Sequence, residues 1–116
     1  MPTPVEIRLD RARRVLAVAY DDGKRDELDA EYLRVESPSA EVQGHAPGER
    51  QVVAGKREVA IRAIEPVGNY AVRLVFDDGH DSGIYSWDLL RALARERASR
   101  WERYLNELAA KGFSRG

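Results

Sequence analysis

Residues 76–87 read FDDGHDSGIYSW, and they set a histidine among three aspartates, two serines, a tyrosine and a tryptophan. Three kinds of chemistry use such residues. Nucleophilic catalysis needs a hydroxyl beside a base that an acid orients. Ser82 lies two positions from His80, with Asp77, Asp78 and Asp81 alongside. Spacing this short keeps a serine and a histidine from meeting in line while an acid backs the ring, and no G-x-S-x-G elbow is present, so no catalytic set is assigned. Metal binding is the second possibility. His80 and His45 are the only histidines, and with an aspartate they make a His-His-carboxylate set if the loop carrying His45 folds back onto the stretch. The third reading is a strand-to-helix corner. Asp77 or Asp78 then accepts hydrogen bonds from nearby backbone N–H groups, Gly79 takes positive φ, and Tyr85 and Trp87 pack on a sheet. The corner is the reading adopted here, with Asp78, Ser82, Tyr85 and Trp87 as candidate interaction-surface residues. His80 and His45 are kept as the candidate metal ligands. The alternative is a site for a small ligand or metal ion at Asp78-Gly79-His80, where the aromatic rings could hold a quaternary ammonium by cation–π attraction.

Something has to position this corner. The chain has 116 residues, of which 43% are hydrophobic and 34% charged, as in an ordinary soluble domain. A chain of this length buries roughly two thirds of its unfolded surface, enough for a single core. It has no cysteine, so disulfides, thiolate nucleophiles and Cys-held zinc or iron–sulfur clusters are excluded. No apolar run approaches the ~20 residues of a membrane helix, and no signal peptide is visible. The expected location is cytoplasmic. A net charge of −1 gives no reason to expect nucleic acid. Arg91, Arg95, Arg97, Arg100 and Arg103 alternate with Glu96, Glu102 and Glu107, which reads as a solvated helical face with i,i+4 pairs.

The periodicity predicts a strand over Val5 to Asp10 and a second in RVLAVAYDDGKR, paired with the first and closed at the hairpin-type turn Asp22-Gly23. Asp29 can cap a helical turn over Ala30 to Arg34. Ser37-Pro38-Ser39 interrupts regular structure, and Gly44, Pro47 and Gly48 mark an irregular loop. Two further strands follow, one with Val59, Ile61 and Ala63 on a single face and one with Val72, Leu74 and Phe76 pointing inward. Ser86 can cap a helix beginning at Trp87, whose stripe is Leu89, Leu90, Leu93 and Ala94. Ser99-Arg100-Trp101-Glu102 fits a capping box, and Trp101, Tyr104, Leu105 and Leu108 form one apolar face ending at Gly112. The tail FSRG is expected to fray. Strands first and helices last predict an α+β fold: a two-layer sandwich in which a small, mainly antiparallel sheet carries the C-terminal helices on one face. Residues 1–116 form a single domain with its core at about 5–112.

The segments LRVESPSAEVQGH, IEPVGNYAVRLVFDDGHDSGIYSWDLL and WERYLNELAAKG resemble the gamma-butyrobetaine hydroxylase-like N-terminal domain family over nearly the whole chain. In that family the domain occurs as a small stand-alone bacterial protein, before the oxygenase domain of gamma-butyrobetaine and trimethyllysine hydroxylases, and fused to Mrp-type iron–sulfur carrier ATPases. The iron and 2-oxoglutarate chemistry of the hydroxylases belongs to their second domain. The resemblance therefore implies a non-catalytic accessory module, without a cofactor of its own, that assists an iron–sulfur carrier ATPase or a metalloenzyme. It also implies that a homodimer is compatible with the fold. The hydroxylase version holds a structural zinc with three cysteines and the histidine of the D-G-H motif. That histidine corresponds to His80, but the cysteine-bearing segment here offers Ser37, Pro38 and Ser39, so the resemblance implies loss of the zinc site.

Overall fold

A computed structural model of the chain describes residues 3–44 and 50–116. β1 (Pro4–Asp10) and β2 (Val15–Tyr20) pair antiparallel, and β3 (Arg25–Asp29) joins the other side of β2. Gly23, at φ 86°, makes the β2–β3 turn possible, and the Asp22 carboxylate accepts from the Lys24 backbone N–H at 3.0 Å. In β3, RDELD, only Leu28 is fully buried. The strand exists because Leu28 sits opposite Leu16 in the register, a pairing that the local sequence does not announce.

Asp29 ends β3 and caps α1 (Ala30–Val35), its carboxylate accepting from Tyr32 N–H at 3.1 Å. α2 (Ala40–Gln43) follows, capped by Ser39. β4 (Ile61–Val67), β5 (Ala71–Phe76) and β6 (Ile84–Ser86) then form a second antiparallel sheet. The fold class is α+β as the pattern predicts, with the strands divided into two three-stranded sheets, β1-β2-β3 and β4-β5-β6. The Asp29 cap turns the chain into a helix before the second group of strands begins, so β3 and β4 are not neighbours.

One core joins the two sheets and the helices. Leu16, Val18, Tyr20 and Leu28 from the first sheet meet Val72, Leu74, Phe76 and Tyr85 from the second, with Tyr32 and Leu33 of α1 between. α3 (Trp87–Arg95) adds Leu90 and Leu93. Burying each such side chain stabilises the fold by about 1.5–3 kcal/mol before conformational entropy is counted. The inward row of β5 is as predicted. In β4 a register shift between Ile61 and Ala63 changes the phase. Ile64, opposite Leu74, takes the inward place that strict alternation from Ile61 gives to Ala63, as a bulge does.

Ser86 caps α3 through its Oγ, which accepts from Leu89 N–H at 3.1 Å. The predicted capping box at Ser99 does not form. α4 (Arg97–Lys111) starts three residues earlier, because Glu96 serves both as the last residue of α3's turn and as the cap of α4. Ser99 lies inside the helix and donates to the Glu96 carbonyl at 3.1 Å. Tyr104 and Leu108 of α4 are buried beside Val35, with Trp101 and Val52–Ala54 around them, whereas Leu105 is exposed. Gly112 ends α4 in the left-handed region at φ 68°. The tail beyond it is tied down: Gly55 N–H donates to Ser114 O at 3.0 Å and Arg57 N–H to Arg115 O at 2.8 Å.

The arginines of the C-terminal helices also depart from the solvated-face expectation. Arg91 pairs with Asp26 at 2.9 Å, and its guanidinium lies 4.7 Å over the Tyr20 ring. Arg97 pairs with Asp29 at 2.9 Å. Arg100 and Arg103 reach Glu36, as does Arg50. Only Arg100–Glu96 keeps the i,i+4 form among the described ion pairs of these helices. Arg91, Arg97, Arg100 and Arg103 act as tertiary clamps onto acids from the first third of the chain, whereas Arg95 stays exposed beside Glu96 as expected.

Candidate functional site

The corner is built by two segments 43 positions apart, the end of α1 with α2 and the turn after β5. Asp77 fixes the turn's start: its N–H donates to Ala60 O at 2.9 Å and its carboxylate accepts from Ala60 N–H at 3.0 Å. Gly79, at φ 90°, lets the chain reverse, so that Phe76 N–H reaches His80 O at 2.9 Å. Asp78 accepts from the His80 backbone N–H at 3.1 Å and pairs with Arg34 at 2.8 Å and Lys56 at 2.7 Å. Burial alone pushes the Asp78 carboxyl up, but the hydrogen bonds from Lys56, His80 N–H and Arg34 outweigh it and hold the group at about 2.

His80 is 5% exposed, and both ring nitrogens are engaged. Nδ1 lies 3.2 Å from a Glu41 carboxylate oxygen, and Nε2 lies 2.8 Å from Ser37 Oγ. A carboxylate can only accept, so Nδ1 carries the proton and Nε2 accepts from the Ser37 hydroxyl. Ser37 Oγ in turn accepts from Ser39 N–H at 3.2 Å. Ser39 Oγ is 2.7 Å from Ser82 Oγ and accepts from Glu41 N–H at 3.2 Å. Burial lowers the His80 pKa, and the nearby Arg34 cation lowers it further against the opposing pull of Glu41. The imidazole is therefore held neutral.

The order Ser37–His80–Glu41 matches the connectivity of a hydrolytic triad. Access decides against that use. Ser37 is 0% exposed, and a Cβ on Gly83 would sit 2.7 Å from its Oγ. A carbonyl cannot reach the hydroxyl without dismantling the corner.

Of the residues singled out in the sequence, Asp78, His80 and Ser82 come together here. Tyr85 does not belong to a surface: it is 0% exposed, with its hydroxyl donating to Leu33 O at 2.5 Å, and burial pushes its pKa up. It is a core residue whose polar tip is satisfied. Trp87 is half-buried, and its ring N–H donates to Asn69 O at 2.9 Å. His45 lies outside the described residues. Among the described residues no three His, Asp or Glu side chains cluster as a metal centre requires. Arg34, Glu41 and Lys56 were not visible as partners in the sequence, because each is an ordinary charged residue far along the chain from the D-G-H turn. Ser37 and Ser39 carried the one available signal, two hydroxyls beside a proline in a segment that breaks regular structure.

The structural zinc of the hydroxylase domains needs deprotonated sulfur and a free ring nitrogen. Here the donors opposite His80 Nε2 are neutral serine hydroxyls, already satisfied by protein partners. The residues do not fit that ion.

Two antiparallel sheets, C-terminal helices and a D-G-H corner fastened to α1 define a small α+β domain. The chain belongs to the family described as gamma-butyrobetaine hydroxylase-like, N-terminal, whose model matches residues 7–91. Among solved structures, one NMR solution structure is 50% identical, with a TM-score of 0.85 over 99% of this chain and 86% of that one. A second is 47% identical, with a TM-score of 0.84 over 99% and 90%. A crystal structure of a protein of unknown function from Acidithiobacillus ferrooxidans, assigned to the DUF971 family, is 42% identical, with a TM-score of 0.67 over 79% of this chain and 92% of that one. No curated protein matches the chain.

Proposed function

We propose that the chain is a non-catalytic interaction module that docks onto a protein handling iron–sulfur clusters or another metal. One observation carries this reading. The side chains of Ser37, Ser39, Asp78 and His80 are spent on partners within or beside the corner, with Ser37 sealed from solvent, while Asp81, Ser82 and Ile84 at its rim stay exposed. Such a corner keeps a fixed shape and offers hydroxyl, carboxylate and apolar contact side by side, which suits recognition better than bond chemistry. The choice of partner rests on the resemblance to domains fused with iron–sulfur carrier ATPases. No helix among the described residues is long and apolar enough to cross a membrane, and the formal charge of −1 gives nucleic acid no handle.

The test is a titration of the isotopically labelled chain with an iron–sulfur carrier ATPase of the Mrp type, followed by NMR. Shifts confined to Asp81, Ser82, Ile84 and Trp87, and weakened by Ile84→Glu, are expected. An unchanged spectrum at partner excess would end the reading. Shifts that grow with the chain's own concentration would instead point to a homodimer. The alternative, a small ligand or metal ion at Asp78-Gly79-His80, has to break existing pairs: Asp78 is held by Arg34 and Lys56, and His80 by Ser37 and Glu41. Divalent ions or betaines that perturb Arg34, Asp78 and His80 would favour it.

A further inference from the structure

We propose that the Ser37, Ser39, Ser82 and His80 cluster closes by hydrogen bonds the position that a zinc ion occupies in the hydroxylase members of this family, making the corner a metal-independent lock. This holds whether or not the chain docks onto any partner. The argument starts from the donors. Two segments must be fastened together here, residues 37–41 and residues 80–83. A zinc ion fastens such segments by accepting lone pairs from all of them at once. The same task is done here by a directional chain: Glu41 accepts from His80 Nδ1, His80 Nε2 accepts from Ser37, and Ser37 accepts from Ser39 N–H. The Ser39–Ser82 hydroxyl pair, 2.7 Å apart, is a second link between the same segments.

Shape supports the assignment. Gly83 brings its backbone so near Ser37 that a Cβ there would stand 2.7 Å from Oγ. The segments have closed until one side-chain oxygen fills the space between them. A serine hydroxyl at neutral pH remains protonated and neutral, so these oxygens cannot replace three thiolates around a dication. Protonated, they supply the O–H donors that a neutral imidazole and a neighbouring hydroxyl can accept. The two solutions exclude each other, and the identity of residues 37 and 39 selects between them.

The experiment compares the native chain, expressed with zinc in the medium, with S37A, S39A and the double variant S37C/S39C. Elemental analysis and thermal midpoints with and without a chelator are the readouts. The native chain should carry no stoichiometric zinc and keep its midpoint in chelator. S37A should melt several degrees lower, and S39A should fall by less because Ser39 is nearer the rim. S37C/S39C should gain a midpoint that rises with added zinc, since one thiolate then faces His80 and a second lies two residues along the same segment. Stoichiometric zinc in the native chain, or a chelator-sensitive native midpoint, would overturn the proposal. So would an S37A chain that melts like the native one, or a folded S37C/S39C chain indifferent to zinc. If S37A fails to fold, S39A carries the stability arm, and an unchanged S39A midpoint would count against the lock.

Discussion

Arg115 grips both carboxylate oxygens of Glu31, at 2.9 and 2.7 Å, across 84 residues of sequence. The Glu31 side chain is 7% exposed, and the Arg115 guanidinium also lies 5.2 Å over the Trp101 ring. The last residues of the chain are thus part of the packing around α1. Arg115→Ala would leave a buried carboxylate without its main partner. We expect a loss of about 2 kcal/mol, below the full range for a broken buried pair because Arg115 itself is partly solvated. Urea unfolding reads this directly. Glu31→Gln, which keeps an acceptor for the guanidinium, should lose less.

Glu36, the residue that caps the end of α1, is also buried, and three cations converge on it. Arg50 lies at 2.5 Å, Arg103 at 3.0 Å and Arg100 at 3.4 Å, around a side chain that is 1% exposed. Arg50 also pairs with Glu107, so the network ties α4 and the segment before β4 to the end of α1. Glu36→Ala should cost about 3 kcal/mol, since three guanidiniums are left facing one another. A chemical denaturation midpoint within error of the native value would show that the cluster is bystander charge.

Gly83 tests the packing of the corner. An added methyl would meet Ser37 Oγ at 2.7 Å and Tyr85 Cε1 at 3.1 Å, and both neighbours are fully buried. Gly83→Ala should destabilise by about 2 kcal/mol through overpacking. Combining it with Ser37→Gly should give a double-mutant coupling of at least about 0.5 kcal/mol, because the second change removes one of the two clashing atoms. Strict additivity would mean that the two residues do not touch.

The pH dependence follows from His80. Its pKa is lower in the fold than in the unfolded chain, where imidazole titrates near 6.5. The unfolded state therefore binds more protons in mild acid, and stability falls as pH drops below the unfolded value toward the folded one. Above that window the contribution is complete. Thermal midpoints should hold steady from pH 8 to 7 and decline below about 6.5, and His80→Gln should flatten this part of the curve. Asp78, held at about 2, adds a separate loss at lower pH, between its ordinary carboxylate range and that value.

Much of the frame was legible in the sequence because it is local. The Asp29 and Ser86 caps, the Gly112 stop, the β1–β2 pair and the inward row of β5 each follow from residues within a few positions of one another. What the sequence hid is non-local. β3 is a strand only because β2 offers it Leu16 as a partner. The β4 bulge depends on how β5 lies beside it. The arginines of α3 and α4 look like a solvated stripe until the acids of α1 and β3 are brought against them. At the site, the turn chemistry of Asp77-Asp78-Gly79 was readable, whereas the contacts of His80 with Ser37 and Glu41 were not. No periodicity relates positions 37, 41 and 80. For Tyr85 the packing on the sheet was readable, whereas its complete burial, with the hydroxyl on Leu33 O 52 residues away, was not.

Six long-range polar contacts share one property. Arg34–Asp78, Ser37–His80, Ser39–Ser82, Glu41–His80, Glu31–Arg115 and Asp26–Arg91 each join the residues before position 45 to those after position 49. Each side also keeps a complete three-stranded sheet of its own. The polypeptide is in effect two complementary halves, and a backbone cut between them would leave fragments carrying matched charges and hydroxyls for one another.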